Sequence, residues 1–247
     1  MISTATRSAL AACAFCAGLS AANACETIRF EETPFTVCAV DPATEDLRLW
    51  HSAADGSVLG TFDRVKDVLA EEGLTLGLAM NGGMYHDDRR PVGYYVEAGV
   101  EAMRLVTSEG PGNFGLLPNG VFCIAGDAAQ VLETTAFAAA APACDFATQS
   151  GPMLVIDGAL HPRFQPDSTS RFIRNGVGVQ GDGTVVMAIS DSAVTFHQFG
   201  RLFRDHLQTP NALYIDGNVS RLYAPALNRH DFGFPMGPIL GTAVPAD

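Results

Sequence analysis

Positive charge is scarce in this chain, and lysine is almost absent. Of 247 residues, 15 are Lys or Arg and 27 are Asp or Glu, which gives a formal net charge of −12. Lys66 is the one lysine, so nearly every fixed cationic side chain is an arginine. A surface this acidic argues against nucleic acid and against an anionic membrane surface as partners, so we predict no nucleic-acid partner. An anionic small molecule would have to be bound locally by arginines, whose planar fork matches phosphate or carboxylate.

No apolar run long enough to span a bilayer follows the first 24 residues. Those residues carry one charge, Arg7, before an Ala-rich run that ends in Ala22-Asn23-Ala24. This pattern is typical of a secretory signal peptide with an A-x-A cleavage site. We therefore predict a signal peptide at 1–24, a periplasmic or secreted location, and no stable membrane insertion. Cleavage would leave Cys25 first, so a lipoprotein anchored at Cys25 is the alternative, although Ala22 stands where lipoprotein sites usually carry Leu.

The chain after the signal peptide holds four cysteines, Cys25, Cys38, Cys123 and Cys144. An even number of cysteines in an exported chain predicts two disulfides. Four cysteines allow three connectivities, and sequence proximity favours Cys25 with Cys38 and Cys123 with Cys144. No cysteine stands beside a candidate base, which argues against a cysteine nucleophile.

Short strand-like runs dominate residues 25–247, which we expect to form one domain. Strands are predicted at 35–40, 47–51, 75–80, 92–97, 121–125, 153–156, 177–180, 185–190 and 212–215, the first two as a hairpin. Helices are indicated after Thr61 and after Thr195, where apolar residues recur at helical spacing. The Ala-rich tract 134–143 is interpreted as a surface excursion. Strands outnumber helices and do not alternate with them, which predicts an α+β fold with a mixed, strand-rich sheet.

Polar residues and glycines stand where the predicted strands begin or end. They are Asn81, Gly82 and Gly83 after 75–80, Asn175 before 177–180, Asp191 after 185–190, and Asp216 after 212–215. Carboxylates at strand ends can perform general acid–base chemistry or glycoside chemistry. Glycines there allow a ligand to approach the backbone. Ordinary turns are the alternative interpretation of each position.

Two further motifs could contact a substrate. The run 168–171 ends in Ser170 and Arg171, and hydroxyls beside an arginine suit an oxyanion. Gln149-Ser150-Gly151 lacks the glycine two residues before the serine that a nucleophile elbow requires. Gln149 and Ser150 are therefore better suited to orienting hydroxyls or a phosphate than to nucleophilic attack.

Histidine spacing gives little support for a metal site. The six histidines are scattered, and none has the helical His-x-x-x-His spacing of a zinc site. His86, Asp87 and Asp88 are consecutive, so they could not all point at one ion without a contorted loop. We predict no cofactor and no metal, while a hard, oxygen-ligated ion near His86 stays open.

Together these motifs resemble the phosphodiester glycosidase family over roughly residues 35–225. The resemblance rests on Asn81-Gly82-Gly83, on Gln149-Ser150-Gly151-Pro152 with Asp157-Gly158, on Arg171 with Asn175-Gly176, and on Asn211 to Asp216-Gly217. The chain departs from the family after the final Asp-Gly, where characterised relatives have more glycines and a serine. Here Asn218-Val219-Ser220 follows. This difference affects the expected shape of one side of the pocket, and therefore which sugar the pocket accepts.

The resemblance implies hydrolysis of the glycosidic bond of a sugar–phosphate diester. Asp216 would act at the anomeric carbon as nucleophile or base, and Arg171 would stabilise the departing phosphate; Asn81 completes the catalytic candidates. The substrate-binding candidates are Gly82, Gly83, Gln149, Ser150, Ser170, Asn175 and Asp191. Two other interpretations stay open: a periplasmic protein that binds a sugar-phosphate or envelope polymer without cleaving it, and a metal-dependent phosphodiesterase that uses the region of His86.

Overall fold

The computed structural model describes residues 25–216 and 219–246. The predicted signal peptide therefore lies outside the described residues, as do Gly217 and Asn218 of the last motif. The described strands are β1 (Cys25–Phe30), β2 (Thr33–Val40), β3 (Asp46–Trp50), β4 (Leu74–Asn81), β5 (Tyr95–Glu97), β6 (Val100–Met103), β7 (Gly120–Ala125), β8 (Ala128–Glu133), β9 (Phe146–Ser150), β10 (Met153–Ile156), β11 (Ala159–Leu160), β12 (Asn175–Val179), β13 (Val185–Ser190), β14 (Asn211–Asp216), β15 (Leu222–Ala224), β16 (Arg229–His230) and β17 (Ile239–Pro245). The α-helices are α1 (Phe62–Glu71), α2 (Thr134–Ala140) and α3 (Phe196–Arg201), the last continuing into a π-helical turn, Leu202–His206.

The strands form three sheets in one domain. The large sheet has the order β1-β2-β13-β12-β14-β10-β11, the second β16-β15-β4-β17-β3, and the third β6-β5-β9-β7-β8. All pairings between these strands are antiparallel. The predicted α+β class with a strand-rich single domain is confirmed, with three antiparallel sheets where the sequence indicated a mixed one.

One face of each sheet contributes to a shared core, and a helix packs near the other face. The shared core contains Met187 of the large sheet, Met80 of the second and Phe122 of the third. The outer faces are covered by α3 with its π-helical turn, by α1 and by α2, respectively. Because strand side chains alternate between faces, Val186 and Met187 lie in different clusters. No helix in the described ranges has the length and apolar character needed to cross a bilayer.

Both predicted disulfides are confirmed. Cys25 is bonded to Cys38, and these two residues are directly opposite each other in the register of β1 and β2. Cys123 of β7 is bonded to Cys144, just before β9. The first bond ties the start of the described chain to the large sheet, and the second joins two neighbouring strands of the third sheet.

Two local predictions were wrong. Strands β2 and β3 do not form a hairpin, because β2 pairs with β1 and β13 while β3 pairs with β17 in another sheet. The turn after Asp41 closes on itself through amides of Ala43, Thr44 and Glu45, and so directs the chain away from β2. The Ala-rich tract is not an excursion but includes α2, whose first amides are capped by the Glu133 carboxylate.

Candidate active site

The structure brings together three residues from separate parts of the sequence, Asn81, Asn175 and Asp216. Asn81 ends β4, Asn175 begins β12, and Asp216 ends β14. Because β12 and β14 are antiparallel, Asn175 and Asp216 are register partners at the same end of these two central strands of the large sheet. Asn81 reaches them from the second sheet, and its Nδ2 lies 3.3 Å from Asp216 Oδ2. Both asparagines are fully buried, and Asp216 is 8% exposed.

The orientation of both asparagine amides follows from backbone partners. The Asn81 Oδ1 atom accepts a hydrogen bond from the Arg221 amide at 2.8 Å, so its Nδ2 must be the group that faces the Val219 carbonyl and Asp216. Asn175 Oδ1 accepts from the Asp216 amide at 2.8 Å, and Asn175 Nδ2 donates to Asn81 Oδ1 at 2.7 Å. Asp216 is thus held through both its backbone amide and its carboxylate.

Asp216 lines a cavity of about 670 Å³. A volume of this size suits a small organic ligand. The lining side chains combine aromatic rings, an arginine and short polar groups: Met84, Tyr85, His86, Asp87, Arg89, Val92, Pro111, Gly112, Asn113, Phe114, Phe172, Tyr214, Asp216 and Val219. The site is therefore an apolar-walled pocket with a positioned carboxylate.

A buried arginine, Arg174, packs behind the cavity wall. Its guanidinium lies 3.6 Å from the ring centre of Phe196 and 5.5 Å from that of Tyr214. Its Nε donates to the Val194 carbonyl and its Nη2 to the Ser170 carbonyl, whereas its buried Nη1 has no hydrogen-bond partner among the described residues. Burial lowers the pKa of Arg174. Burial also raises the pKa of the Tyr214 hydroxyl, and the Arg174 charge partly offsets that increase.

Further charged groups stand close to Asp216. Arg89 lines the cavity, and its guanidinium lies 5.1 Å from the ring centre of Tyr85. Burial raises the pKa of Tyr85, and the charge of Asp216 adds to the increase. Arg221 is 8% exposed, and burial lowers its pKa although nearby Tyr85, Asp231 and Asp216 favour its charged form. The sequence did not single out any of these cations.

Comparison with known proteins shows the family of this chain. The profile of the phosphodiester glycosidase family matches residues 75–235, more than half of the chain. The chain belongs to the phosphodiester glycosidase family. The matched range includes Asn81, Asn175 and Asp216, and so contains the whole hydrogen-bonded group described above.

One curated relative and several solved structures share this fold. The uncharacterized protein YigE of Escherichia coli (strain K12) is 36% identical over 184 residues, which is 74% of this chain and 72% of that protein. The zebrafish N-acetylglucosamine-1-phosphodiester alpha-N-acetylglucosaminidase catalytic domain, solved auto-inhibited by its pro-peptide, has a TM-score of 0.60 at 12% identity, covering 88% of this chain and 81% of that one. A hypothetical protein from Synechocystis has a TM-score of 0.58 at 12% identity, covering 89% and 61%. An exported protein from Burkholderia pseudomallei K96243 has a TM-score of 0.51 at 11% identity, covering 85% and 74%.

Gln149 was predicted to bind substrate, but all the hydrogen-bonding positions of its side chain are occupied by groups of the protein itself. Its Oε1 accepts from the amides of Tyr94 and Val106, each at 3.0 Å. Its Nε2 donates to the Val106 carbonyl at 2.6 Å and to the Thr134 hydroxyl at 3.1 Å. An amide side chain has two donors and two acceptor positions, so none is left for a ligand. Gln149 fixes the backbone on both sides of β5 and β6.

Ser150 and the two glycines also have structural partners. The Ser150 hydroxyl is buried and donates to the Ile215 carbonyl at 3.2 Å, which ties β9 to the strand that carries Asp216. The Gly82 amide donates to the Pro238 carbonyl at 2.7 Å, so it is not available to the departing phosphate. A Cβ atom on Gly83 would lie 2.5 Å from the Thr148 hydroxyl oxygen. Close packing between segments therefore explains both glycines.

The remaining predicted residues are not brought into the cavity. Arg171 and Ser170 are exposed in the segment before β12, and Phe172 lines the cavity instead. Asp191 accepts hydrogen bonds from Thr36 and Arg229, the latter at 2.5 Å. Strands β13 and β14 are separated by β12, so the ends that carry Asp191 and Asp216 are about 10 Å apart across the sheet. Asp191 is not among the residues that line the cavity of Asp216.

A metal-binding cluster is not found in the part of the chain that the structure describes. No group of three or more His, Cys, Asp or Glu side chains within 25–216 and 219–246 is arranged to hold an ion. The turn that carries His86 is instead closed by backbone hydrogen bonds, from the His86 amide to the Arg90 carbonyl and from the Arg89 amide to the His86 carbonyl.

Proposed function

We propose that this protein hydrolyses the glycosidic bond of a sugar–phosphate diester. The observation that carries the proposal is Asp216, a carboxylate held from two sides at the wall of a cavity of about 670 Å³. Membership of the phosphodiester glycosidase family supports a sugar-containing substrate. The zebrafish relative is named as a phosphodiester glucosaminidase, which supports the same bond type here.

In the proposed reaction, the bond between the anomeric carbon and the bridging oxygen breaks. Its electron pair stays on that oxygen, which leaves as part of a phosphate monoester. The oxygen of water forms the new bond to the anomeric carbon, either directly with Asp216 as base or after Asp216 has formed and then released a glycosyl ester. One proton of the water is passed to the medium, because a phosphate monoester is already a stable anion and needs little help from a general acid.

Asn81 and Asn175 would position Asp216 rather than contact the substrate. Their amide groups are buried and are already bonded to each other, to Asp216 and to backbone groups of Val219 and Arg221. A carboxylate held in this way does not have to reorganise when charge develops at the anomeric carbon. Tyr214 and Tyr85 line the cavity beside it and offer hydroxyls for sugar oxygens.

We also propose that the protein acts in the periplasm or outside the cell. Two disulfides and the likeness to an exported protein support a location beyond the cytoplasm. The Cys25 sulfur is bonded to Cys38, and a sulfur in a disulfide cannot also carry the thioether of a lipoprotein. The disulfide thus favours the unanchored alternative, and the predicted signal peptide at 1–24 supplies the route of export.

Heavy-oxygen water tests the proposed reaction. The protein lacking 1–24 is incubated with UDP-N-acetylglucosamine and a panel of sugar–phosphate diesters in H₂¹⁸O, and the products are analysed by mass spectrometry. We expect the label on the released sugar, and we expect Asp216→Asn to lower turnover about 10²- to 10⁴-fold. Asp182→Asn, in the exposed turn between β12 and β13 at the end of β12 opposite Asn175, is the matched control and should keep full activity.

Other outcomes separate the alternatives. Label on the phosphate would mean attack at phosphorus and would favour a phosphodiesterase; chelator sensitivity would then show whether that reaction needs a metal. Binding of a diester with no turnover across the panel would favour the non-catalytic role. Either result would refute the proposed glycosidase.

A further inference from the structure

The cavity that contains Asp216 has one arginine among its described lining residues, Arg89. His86 is the other lining side chain that can carry positive charge, and no lysine lines the cavity. The chain as a whole is acidic, with a formal net charge of −12, so its long-range field disfavours an anionic substrate. Capture of an anion in this cavity therefore requires a local cation, and Arg89 is placed to be one.

The neighbouring arginine is neutralised, whereas Arg89 is not. Arg90 forms an ion pair with Asp88 at 2.6 Å on the exposed side of the turn. Within the described ranges, no carboxylate lies within 4.0 Å of the Arg89 guanidinium. Its contact is with the ring of Tyr85, at 5.1 Å. A guanidinium that packs on an aromatic ring keeps its N–H groups available for a planar oxyanion.

Arg89 is held in an unfavourable backbone conformation. Its φ is +72°, in the left-handed region that residues with a Cβ adopt at a cost of roughly 1 kcal/mol or more. Glycine would adopt this conformation without that cost. The turn itself therefore gives no reason for an arginine at this position, and the side chain is the feature that needs an explanation.

A partly buried histidine, His51, holds the backbone of this turn in place. His51 Nε2 lies 2.8 Å from the Arg89 carbonyl, and because a carbonyl only accepts, the hydrogen must be on Nε2. His51 Nδ1 then accepts from the Ser52 hydroxyl at 2.8 Å, which satisfies the second ring nitrogen. The His51 amide in turn donates to Glu97 at 3.1 Å. The Arg89 backbone is thus anchored to the segment that follows β3, which keeps its side chain at the cavity.

From these observations we infer that Arg89 is the anion-binding side chain of the cavity and takes the phosphodiester group of the substrate. Its two terminal N–H groups match two phosphate oxygens, a geometry that lysine cannot reproduce. The catalytic consequence of this inference rests on the proposed function, whereas the binding consequence does not. Arg171, which the sequence favoured for this role, is exposed and outside the cavity lining.

Arg89→Gly is the most informative substitution, because it removes the guanidinium and relieves the strained backbone at once. We expect it to melt at the same temperature as the unsubstituted protein or higher. We expect its kcat/KM for a sugar–phosphate diester to fall about ten- to hundredfold, the loss typical of a charge-assisted hydrogen-bonded pair. Its kcat/KM for a neutral aryl glycoside of the same sugar should change less than twofold. The kcat/KM of Arg89→Lys for the diester should lie between that of the unsubstituted protein and that of Arg89→Gly.

Arg90→Ala and Arg171→Ala are the controls. Arg90→Ala removes the adjacent guanidinium, which is paired with Asp88, and should leave the preference for the diester unchanged. If Arg171→Ala loses that preference and Arg89→Gly keeps it, the inference is overturned and Arg171 takes the role.

A binding measurement keeps the inference testable without catalysis. Inorganic phosphate is titrated by calorimetry into Asp216→Asn, with and without Arg89→Gly. We expect saturable binding that weakens at least tenfold when Arg89 is replaced. Equal binding by the two proteins, or no saturable binding by Asp216→Asn itself, would overturn the assignment of Arg89. Inactivity of the unsubstituted protein toward every diester would refute the glycosidase alone.

Discussion

The contact between Asn81 and Asp216 makes a quantitative prediction for the near-isosteric change Asn81→Asp. The new Oδ1 would still accept from Asn175 and from the Arg221 amide. The new Oδ2 would replace the Nδ2 that lies 3.3 Å from Asp216 Oδ2, and so would place two carboxylates in contact. At that separation and an effective dielectric constant of about 20, two unit charges repel by about 5 kcal/mol.

The sign of the pH dependence follows from proton binding. The folded variant avoids the repulsion by keeping one proton on the carboxylate pair, to a higher pH than an aspartate in the unfolded chain does. The folded state then binds more protons than the unfolded state, so the free energy of unfolding falls as pH rises. Each pH unit in this window costs up to about 1.4 kcal/mol. Between pH 4.5 and pH 8, we expect the variant to lose about 3 to 5 kcal/mol relative to the unsubstituted protein.

Urea unfolding at pH 4.5, 5.5, 6.5, 7.5 and 8 measures this difference. Asn119→Asp is the matched control, because Asn119 is equally buried and its Nδ2 faces the Phe114 carbonyl instead of a carboxylate. The Asn119→Asp variant buries a carboxylate without placing a second carboxylate beside it. Its free energy of unfolding should therefore fall less over the same pH range. Equal losses in the two variants, or a pH-independent difference for Asn81→Asp, would refute the geometry described for Asp216.

Two further predictions concern packing and alkaline pH. Gly82→Ala should lower the free energy of unfolding, measured with urea, by about 1 to 3 kcal/mol, because the new Cβ would lie 2.7 Å from the Ile239 backbone. The control is Gly181→Ala, whose Cβ would have nothing within 4 Å. Equal losses in the two variants would contradict the packing described for Gly82. Burial raises the pKa of Tyr95 and of Tyr214, so these hydroxyls lose their protons at a lower pH in the unfolded chain than in the folded one. The two protonated tyrosines therefore contribute fully to the free energy of unfolding below about pH 10, and that contribution is lost as pH rises further. The slope of the free energy of unfolding against pH is proportional to the difference in bound protons between the folded and unfolded states. Tyr214→Phe should therefore reduce that difference above pH 10 by about one proton, and an unchanged slope in urea unfolding would contradict the burial of Tyr214.

The sequence placed three members of the candidate site at strand ends but did not indicate what they contact. Asn81, Asn175 and Asp216 could be recognised because polar residues interrupt apolar strands, and the ends of such strands meet at sheet edges. What each residue contacts depends on how the second sheet packs against the large one. Asn175 and Asn81 are 94 residues apart, and no local pattern encodes that their amides bond to each other.

The sequence was equally unable to indicate which arginine lines the cavity. Arg171 and Arg174 stand three residues apart in one polar segment, and the sequence gives no measure of burial for either. The ring of Phe196 covers Arg174, and that ring comes from α3, a later part of the chain. Arg89 lies in an irregular turn between β4 and β5, where no periodicity predicts the direction of a side chain. The Ala-rich helix α2 could have been predicted, because alanine has the highest helix propensity and Glu133 can cap the first turn.

The buried asparagines explain how the Asp216 carboxylate is held at the cavity wall. Had Asn81 and Asn175 been substrate ligands, their polar atoms would face the cavity, and the Asp216 amide and carboxylate would need other partners. Instead, the bonds run from the second sheet through Asn81 to Asn175 and to both parts of Asp216. Because these residues lie on strands and not on loops, the position of Asp216 is set by sheet packing. In the proposed function, the contacts that select the substrate would come from the irregular segments around the cavity, which carry Tyr85, Arg89 and Asn113. Because irregular segments tolerate sequence change better than strands do, substitutions there could alter the substrate accepted without moving the carboxylate.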